Sequence, residues 1–197
     1  LQEGDPVRRR ELGVAARLVQ AQALEARGAQ RIDAPFPFGA EGTTAWLKAA
    51  AQAFGIGDEE LSLALASHNA ENCHTSKVGE LLERLDLSVS DLQCGAHRPG
   101  DYEVARALAN AGEEPTALHN NCSGKHAGFL ALSQHLGAPP AEYLAPDGEV
   151  QRLVRSAIAD MCDMKAEEMT RGIDGCSAPT YRIPLRSLAL AFARVVA

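Results

Sequence analysis

The sequence predicts a helix-rich α/β fold, and two observations carry that prediction. Apolar residues recur with the 3.6-residue period of a helix in stretch after stretch, whereas runs of strand character are short and scarce. Asp58, Glu59 and Glu60 put acidic groups where a helix start favours them and lead into Leu61 and Leu65. Val78, Leu81, Leu82 and Leu85 form an apolar stripe after Thr75. Val104, Ala105 and Leu108 form another, which Gly112 would end. Thr116 to Leu118 is a weak strand candidate. Phe129, Leu132 and Leu136 carry the next helix, with Gly137 and the Pro139-Pro140 pair as its stop. Val150, Leu153, Val154, Ala157, Ile158 and Met161 then follow the helical period closely, and Thr180 to Ile183 is the stronger strand. Pro184 suits a first helical position, and Leu185, Leu188, Ala189, Phe192 and Val195 continue from it. Residues 28–44 read as irregular chain between helical segments. The last helix runs into Val195, Val196 and Ala197 without a cap and the first residue is Leu, so the natural chain is expected to extend past both ends.

Bulk properties exclude several classes of function. A formal net charge of -7 argues against nucleic acid or an anionic membrane surface as the main partner, since both require a basic face. The one basic run, Arg8-Arg9-Arg10, is followed at once by Glu11 and reads as a solvated helix face. No apolar run approaches the roughly 20 residues that cross a bilayer, and the first residues lack the pattern of a signal peptide. Five cysteines at irregular spacing do not form a disulfide framework, and a reducing cytoplasm fits them best.

Two clusters carry chemistry. The first is Asn121-Cys122-Ser123-Gly124-Lys125-His126, directly ahead of an apolar helix. Ser123 is a candidate N-cap, which would set Cys122 and Lys125 around the helix N-terminus. That end favours a Cys122 thiolate and disfavours a Lys125 ammonium. The second is Gly172 to Pro179, where two glycines bracket Asp174 in a turn and Asp174 and Cys176 can point to one side. Cys122, Lys125, Asp174 and Cys176 together offer two sulfurs, a nitrogen and an oxygen, a donor set that suits zinc. The alternative is that both cysteines are small buried hydrophobes. A phosphate loop is excluded, because Ser-Gly-Lys-His lacks the upstream glycine and the hydroxyl after the lysine. Nor is Cys122 with His126 a convincing thiol–base pair, since nothing places a third, orienting group. A third spot, Ala66 to Glu71, puts the Ser67 hydroxyl at a helix end beside His68 and Asn69, either as a nucleophile or substrate contact or as simple end-capping. The turn Gln93 to Pro99 has no purpose that the residues reveal, and Cys94, Cys73 and Cys162 read as packed rather than reactive.

Ala66-Ser-His-Asn69, Cys94-Gly-Ala-His97, Leu118-His-Asn-Asn-Cys-Ser-Gly-Lys-His-Ala127 and Gly172-Ile-Asp-Gly-Cys-Ser-Ala-Pro179 occur in the order and at about the spacing of one family. They resemble the asparaginase II family of rhizobial-type, thermolabile L-asparaginases, over roughly three quarters of the chain. The resemblance implies hydrolysis of L-asparagine to L-aspartate and ammonia on a fold similar to the serine β-lactamases and penicillin-binding proteins. It implies zinc as cofactor, held by Cys122, Lys125 and Cys176, with Asp174 organising the site through hydrogen bonds or ligating directly. It makes Ser67 the serine of one catalytic serine–lysine pair and gives Asn69 and His126 to substrate binding. The partner lysine of Ser67 would lie beyond residue 197. The Arg-Ser-x-x-Lys motif of the other pair has no match after Phe36-Pro37, and Thr44 to Lys48 has one residue too many.

Residues 1–45 are therefore expected to be a divergent segment, and 46–197 an asparaginase-like central region lacking the C-terminal part of the family domain. Competing with an active amidohydrolase are a zinc- or ligand-binding remnant without catalysis and a plain helical interaction domain. Apolar surface left by missing segments would favour association, as in a homodimer.

Overall fold

In a computed structural model of the chain, residues 52–196 are described, with the side chains of 195 and 196 excepted. Helix α1 (Asp58–Leu65) starts where its acidic residues stand, and the Glu60 carboxylate accepts the Gly57 amide at 2.7 Å while pairing with Arg84 at 2.8 Å. Helix α2 (Asn72–Arg84) follows, then α3 (Tyr102–Ala111), whose N-cap Asp101 accepts the amides of Glu103 and Val104. Next come α4 (Ser123–His135) and α5 (Glu149–Cys162). An antiparallel hairpin of β1 (Thr170–Ile173) and β2 (Pro179–Arg182) runs in the register Thr170↔Arg182 to Ile173↔Pro179, and α6 (Leu185–Val196) ends the described chain.

Four helices close with the same device. After α3 and α4, Gly112 and Gly137 take left-handed backbone at φ 69°, and the two residues past each end return amides to the last turn, as with Ala138 N–H to Ser133 C=O at 2.9 Å. After α2 and α5 the left-handed residue is an aspartate, Asp86 or Asp163. Their bonds Leu87 N–H to Leu82 C=O and Met164 N–H to Ala159 C=O follow the same pattern.

Helix α4 sits at the centre. Ala127, Leu130, Ala131 and Leu132 join Val78, Leu81, Leu82 and Leu85 from and after α2, Tyr143, Val150 of α5, and Cys176 and Ala178 of the hairpin in one core. The buried face of α4 is thus broader than the expected Phe129–Leu132–Leu136 stripe, and Phe129 and Leu136 are only half-buried at its margin. Against α1 the helix is almost backbone to backbone. A Cβ on Gly124 would stand 2.5 Å from the Leu63 carbonyl oxygen, and one on Gly128 would stand 3.0 Å from the Ala64 methyl.

Three expectations are corrected. Thr116–Leu118 is not a strand: residues 117–119 make a 3₁₀ turn, because the Thr116 amide bonds the His119 ring at 3.0 Å and the chain closes locally. The turn between Ile173 and Pro179 takes its left-handed residue at Ser177, φ 69°, while Gly172 lies within β1. Helix α6 packs on α5 by the side that carries Arg194, whose guanidinium reaches the Asp160 and Met161 carbonyls at 2.7 and 3.0 Å. Its apolar stripe therefore faces outward, with Leu185 81% and Phe192 63% exposed. Among the described residues the sheet has two strands, so the arrangement is helix-rich α/β, and the larger sheet of a β-lactamase-like domain is not drawn by these residues. None of the described helices is long and apolar enough to cross a membrane. Arg8–Arg10, residues 28–44, Phe36, Pro37, Thr44 and Lys48 lie outside the described residues.

The Gly124 contact sets a direct test. Gly124→Ala must push α1 and α4 apart, and is expected to lower unfolding stability by about 1–3 kcal/mol in urea titration. An unchanged midpoint would show that the helices do not touch there.

Candidate metal centre

The first cluster is built on the turn that leads into α4. Asn120 is buried; its side-chain amide donates to the Cys94 and Gly95 carbonyls at 2.8 and 3.2 Å, and its Oδ1 accepts the Cys122 amide at 2.9 Å. This gives the 93–99 turn, opaque in the sequence, a purpose: its carbonyls hold the residue that orients Cys122. The N-cap is Cys122, not Ser123 as expected. Ser123 is the first helical residue and fully buried, and its hydroxyl donates to the Leu118 carbonyl at 3.0 Å. Lys125 lies in the first turn and projects toward the second cluster.

That second cluster is the hairpin turn. Asp174 N–H bonds the Ala178 carbonyl, Ser177 N–H bonds the Asp174 carbonyl, and Asp174 Oδ1 accepts the Gly175 amide at 2.7 Å. The turn swings Cys176 inward to 4% exposure, where its thiol meets Asp174 Oδ2 at 3.6 Å. Lys125 Nζ stands 3.3 Å from Cys176 Sγ and 3.8 Å from Asp174 Oδ2. Ligand atoms of Cys122, Asp174 and Cys176 all lie within 4.8 Å of one another. Sulfurs bound tetrahedrally at about 2.3 Å from a zinc ion would stand roughly 3.8 Å apart. The two sulfurs, the amine and the carboxylate thus fit a small tetrahedral ion with shifts on the order of 1 Å.

The protonation state in the absence of a metal differs from the expectation. Burial pushes the Cys122 thiol up, partly offset by the Lys125 charge, and Cys176 and Asp174 add to the rise. Burial alone would lower Lys125, but Cys122, Cys176 and Asp174 outweigh it and hold the ammonium above its ordinary value. Lys125 thus follows its two thiol neighbours and the Asp174 carboxylate, and Cys122 follows its burial.

Beside this turn runs the strap that carries Ser67. The His68 amide donates to the Asn121 carbonyl at 3.1 Å, and the His68 ring bonds the Ser123 hydroxyl at 2.9 Å. Ser67 and Asn69 are exposed; His68 and Ala70 are buried. His126 lies apart from them, fully buried, with Nδ1 2.7 Å from the Tyr143 hydroxyl, which also accepts the Gln93 amide. Its Nε2 is buried without a hydrogen-bond partner. No anchoring role for Asn120 and His68 is legible in the sequence, because that role lies in long-range partners that no local spacing announces. Cys94 and Cys162 are packed as expected, Cys94 with its thiol pushed up to about 11 chiefly by burial, whereas Cys73 is exposed on α2. A cavity of about 320 Å³ is lined by Ser133, Leu136, Glu149 and Arg152 among others, and contains none of these groups.

The buried imidazoles make stability depend on pH. Burial lowers both His68 and His126 to about 4, with His74 acting further on the first and Lys125 on the second. Unfolded, each would bind a proton near the ordinary imidazole value of 6.5. The unfolded chain therefore holds the extra protons between those values, and stability present above pH 6.5 is lost as pH falls toward 4. Each imidazole contributes on the order of 3 kcal/mol. Urea unfolding at stepped pH should show that decline, with about two protons taken up on unfolding near pH 5; a flat profile would contradict it.

The chain is similar to known proteins over one long span and over several short stretches. Short stretches also resemble subunit N of light-independent protochlorophyllide reductase. Identity is 74% over 38 residues with the Rhodospirillum rubrum protein, covering 19% of this chain and 9% of that one. It is 58% over 48 residues with the Dinoroseobacter shibae protein, covering 24% and 11%. It is 48% over 58 residues with the Halorhodospira halophila protein, covering 25% and 14%. The matched part spans about a tenth of the length of these curated relatives. The model of the L-asparaginase II family, by contrast, matches residues 42–197. That span holds both clusters and the Ser67 strap, and the chain belongs to the L-asparaginase II family.

Proposed function

We propose that the chain carries an asparaginase-type amidohydrolase site, in which zinc held by Cys122, Lys125 and Cys176 stands beside a serine-bearing strap that receives L-asparagine. The observation that carries this reading is the convergence of two sequence-distant clusters, Cys122 with Lys125 and Asp174 with Cys176, next to a strap tied to the same turn. Asp174 either completes the ligand set or holds Lys125 and Cys176 in place. A bound zinc ion would replace the thiol protons, keep the Lys125 amine neutral and supply an electropositive centre. The thiol ligands suit a reducing, cytoplasmic setting, and the exposed face of α6 suits a homodimer. Family membership also supports a serine β-lactamase-like fold for the domain.

In this reading Ser67 is the nucleophile. Its oxygen adds to the side-chain amide carbon of asparagine, and its proton passes through a base to the leaving nitrogen. Ammonia departs, and water then releases aspartate from the ester. Asn69, on the same exposed side of the strap, orients the substrate; a contact from His126 would come through Nε2, its unpartnered atom. One observation favours a second reading, a zinc- or ligand-binding remnant. Lys77 is engaged by Glu59 and Glu80, and Lys125 by Cys176 and Asp174, and among the described residues no hydrogen bond joins Ser67 to a lysine.

Two measurements follow. Purified chain should carry about one zinc per molecule, and Cys122→Ser or Cys176→Ser should lower metal affinity at least tenfold; undiminished zinc in both variants would contradict the ligand set. Ammonia release from L-asparagine should be slow, at least tenfold below that of a family member carrying both serine–lysine pairs, and lost in Ser67→Ala. Release unaffected by Ser67→Ala would overturn the nucleophile, and none at all from a zinc-loaded chain would select the remnant.

A further inference from the structure

We infer that His68 is a positioning residue, whose imidazole clamps the Ser67–Ala70 strap onto the first turn of α4 and so fixes where Ser67 and Asn69 stand. The inference rests on the amidohydrolase reading only in giving those two side chains a task; the clamp itself is geometric.

Burial alternates along the strap. Ser67 is exposed, His68 buried, Asn69 exposed and Ala70 buried, as in a chain whose successive side chains point to opposite sides. Ser67 and Asn69 therefore share the open side, and what holds them is whatever holds the other two. His68, 7% exposed, has both ring nitrogens engaged: Nδ1 accepts the Ala70 amide at 3.1 Å and Nε2 meets Ser123 Oγ at 2.9 Å. Because an amide can only donate, Nδ1 must be bare and Nε2 must carry the proton. The order is then determined: Ala70 N–H to His68 Nδ1, His68 Nε2–H to Ser123 Oγ, and Ser123 O–H to the Leu118 carbonyl.

Two further ties converge on the same residues. The His68 amide bonds the Asn121 carbonyl, and the Asn69 carbonyl accepts the Asp101 amide at 2.9 Å. Ala70 holds φ 64°, a conformation that disfavours any residue with a Cβ. The bond from its amide to His68 offsets that strain. An apolar residue at 68 would leave the Ala70 amide without its acceptor and the Ser123 hydroxyl without its donor, both in the interior. A side-chain amide can replace one link at a time. Asn at 68 can accept the Ala70 amide from a position like Nδ1, and Gln can reach Ser123 from a position like Nε2.

The test is nuclear magnetic resonance on the full chain. The imidazole nitrogen shifts of His68 at pH 7 should show a neutral ring with the proton on Nε2. His68→Ala should speed exchange of the Ala70 amide at least tenfold and move the Ser67 and Asn69 amide signals, while core amides of α4 keep their protection. His68→Asn should restore Ala70 protection and His68→Gln should not, a contrast that serves equally if the Ala variant fails to fold. A proton on Nδ1, or an unaltered Ala70, Ser67 and Asn69 in the variants, would overturn the clamp. Failure of wild-type chain to release ammonia would count against the amidohydrolase reading alone and would leave these signals to decide the role of His68.

Discussion

Helix α4 begins in the interior of the protein, and a helix can begin there only if its first polar groups find partners other than water. Ser123, its first residue, is fully buried and answers this with two hydrogen bonds, to His68 and to the Leu118 carbonyl. Asn120, just before it, spends its side-chain amide on the Cys94–Gly95 carbonyls and its oxygen on the Cys122 amide. These few bonds gather two stretches that are remote in sequence, around His68 and around Cys94, onto one turn. They also explain why Cys122 is half-buried at the edge of the turn instead of free at a helix end. Gly124 completes the constraint by letting α1 approach to backbone contact, which brings the strap after α1 over the same place.

The groups around that turn perturb one another as they stand. Two thiols, an ammonium and a carboxylate crowd together, with Lys125 held charged by its neighbours and Cys122 kept protonated mainly by burial. A divalent cation that takes thiolates and a neutral amine as ligands would turn mutual perturbation into coordination. The donor chemistry supports zinc more strongly than the presence of cysteine alone, since free cysteines are usually only small core residues. Cys94 is that ordinary case, packed with its thiol on the Ala117 carbonyl and its ionisation pushed up by burial.

Much of this was legible in the sequence, for reasons that can be named. The stripes in α2 and α5 have the helical period because those helices bury one face each, and Gly112 and Gly137 mark ends because left-handed backbone suits glycine. Asp86 and Asp163 end helices in the same way but gave no signal, since aspartate is common everywhere on a surface. The stripe of α6 misled: period reveals which residues share a face and not whether anything covers it. Thr116–Leu118 misled because its fate rests on one bond from the Thr116 amide to the His119 ring. At the site, residue types and motif order found Cys122, Lys125, Asp174 and Cys176. The bonds that hold the turn before α4, through Asn120 and His68, depend on partners up to 55 residues away and had no local signature.

The central claim is that the two sulfur-bearing turns share one ion, and zinc-edge X-ray absorption on the metal-loaded chain addresses it most directly. The account predicts two sulfur neighbours at about 2.3 Å with nitrogen or oxygen donors completing a four-coordinate shell. A shell without sulfur, or one of oxygen and nitrogen alone in six-fold coordination, would contradict it.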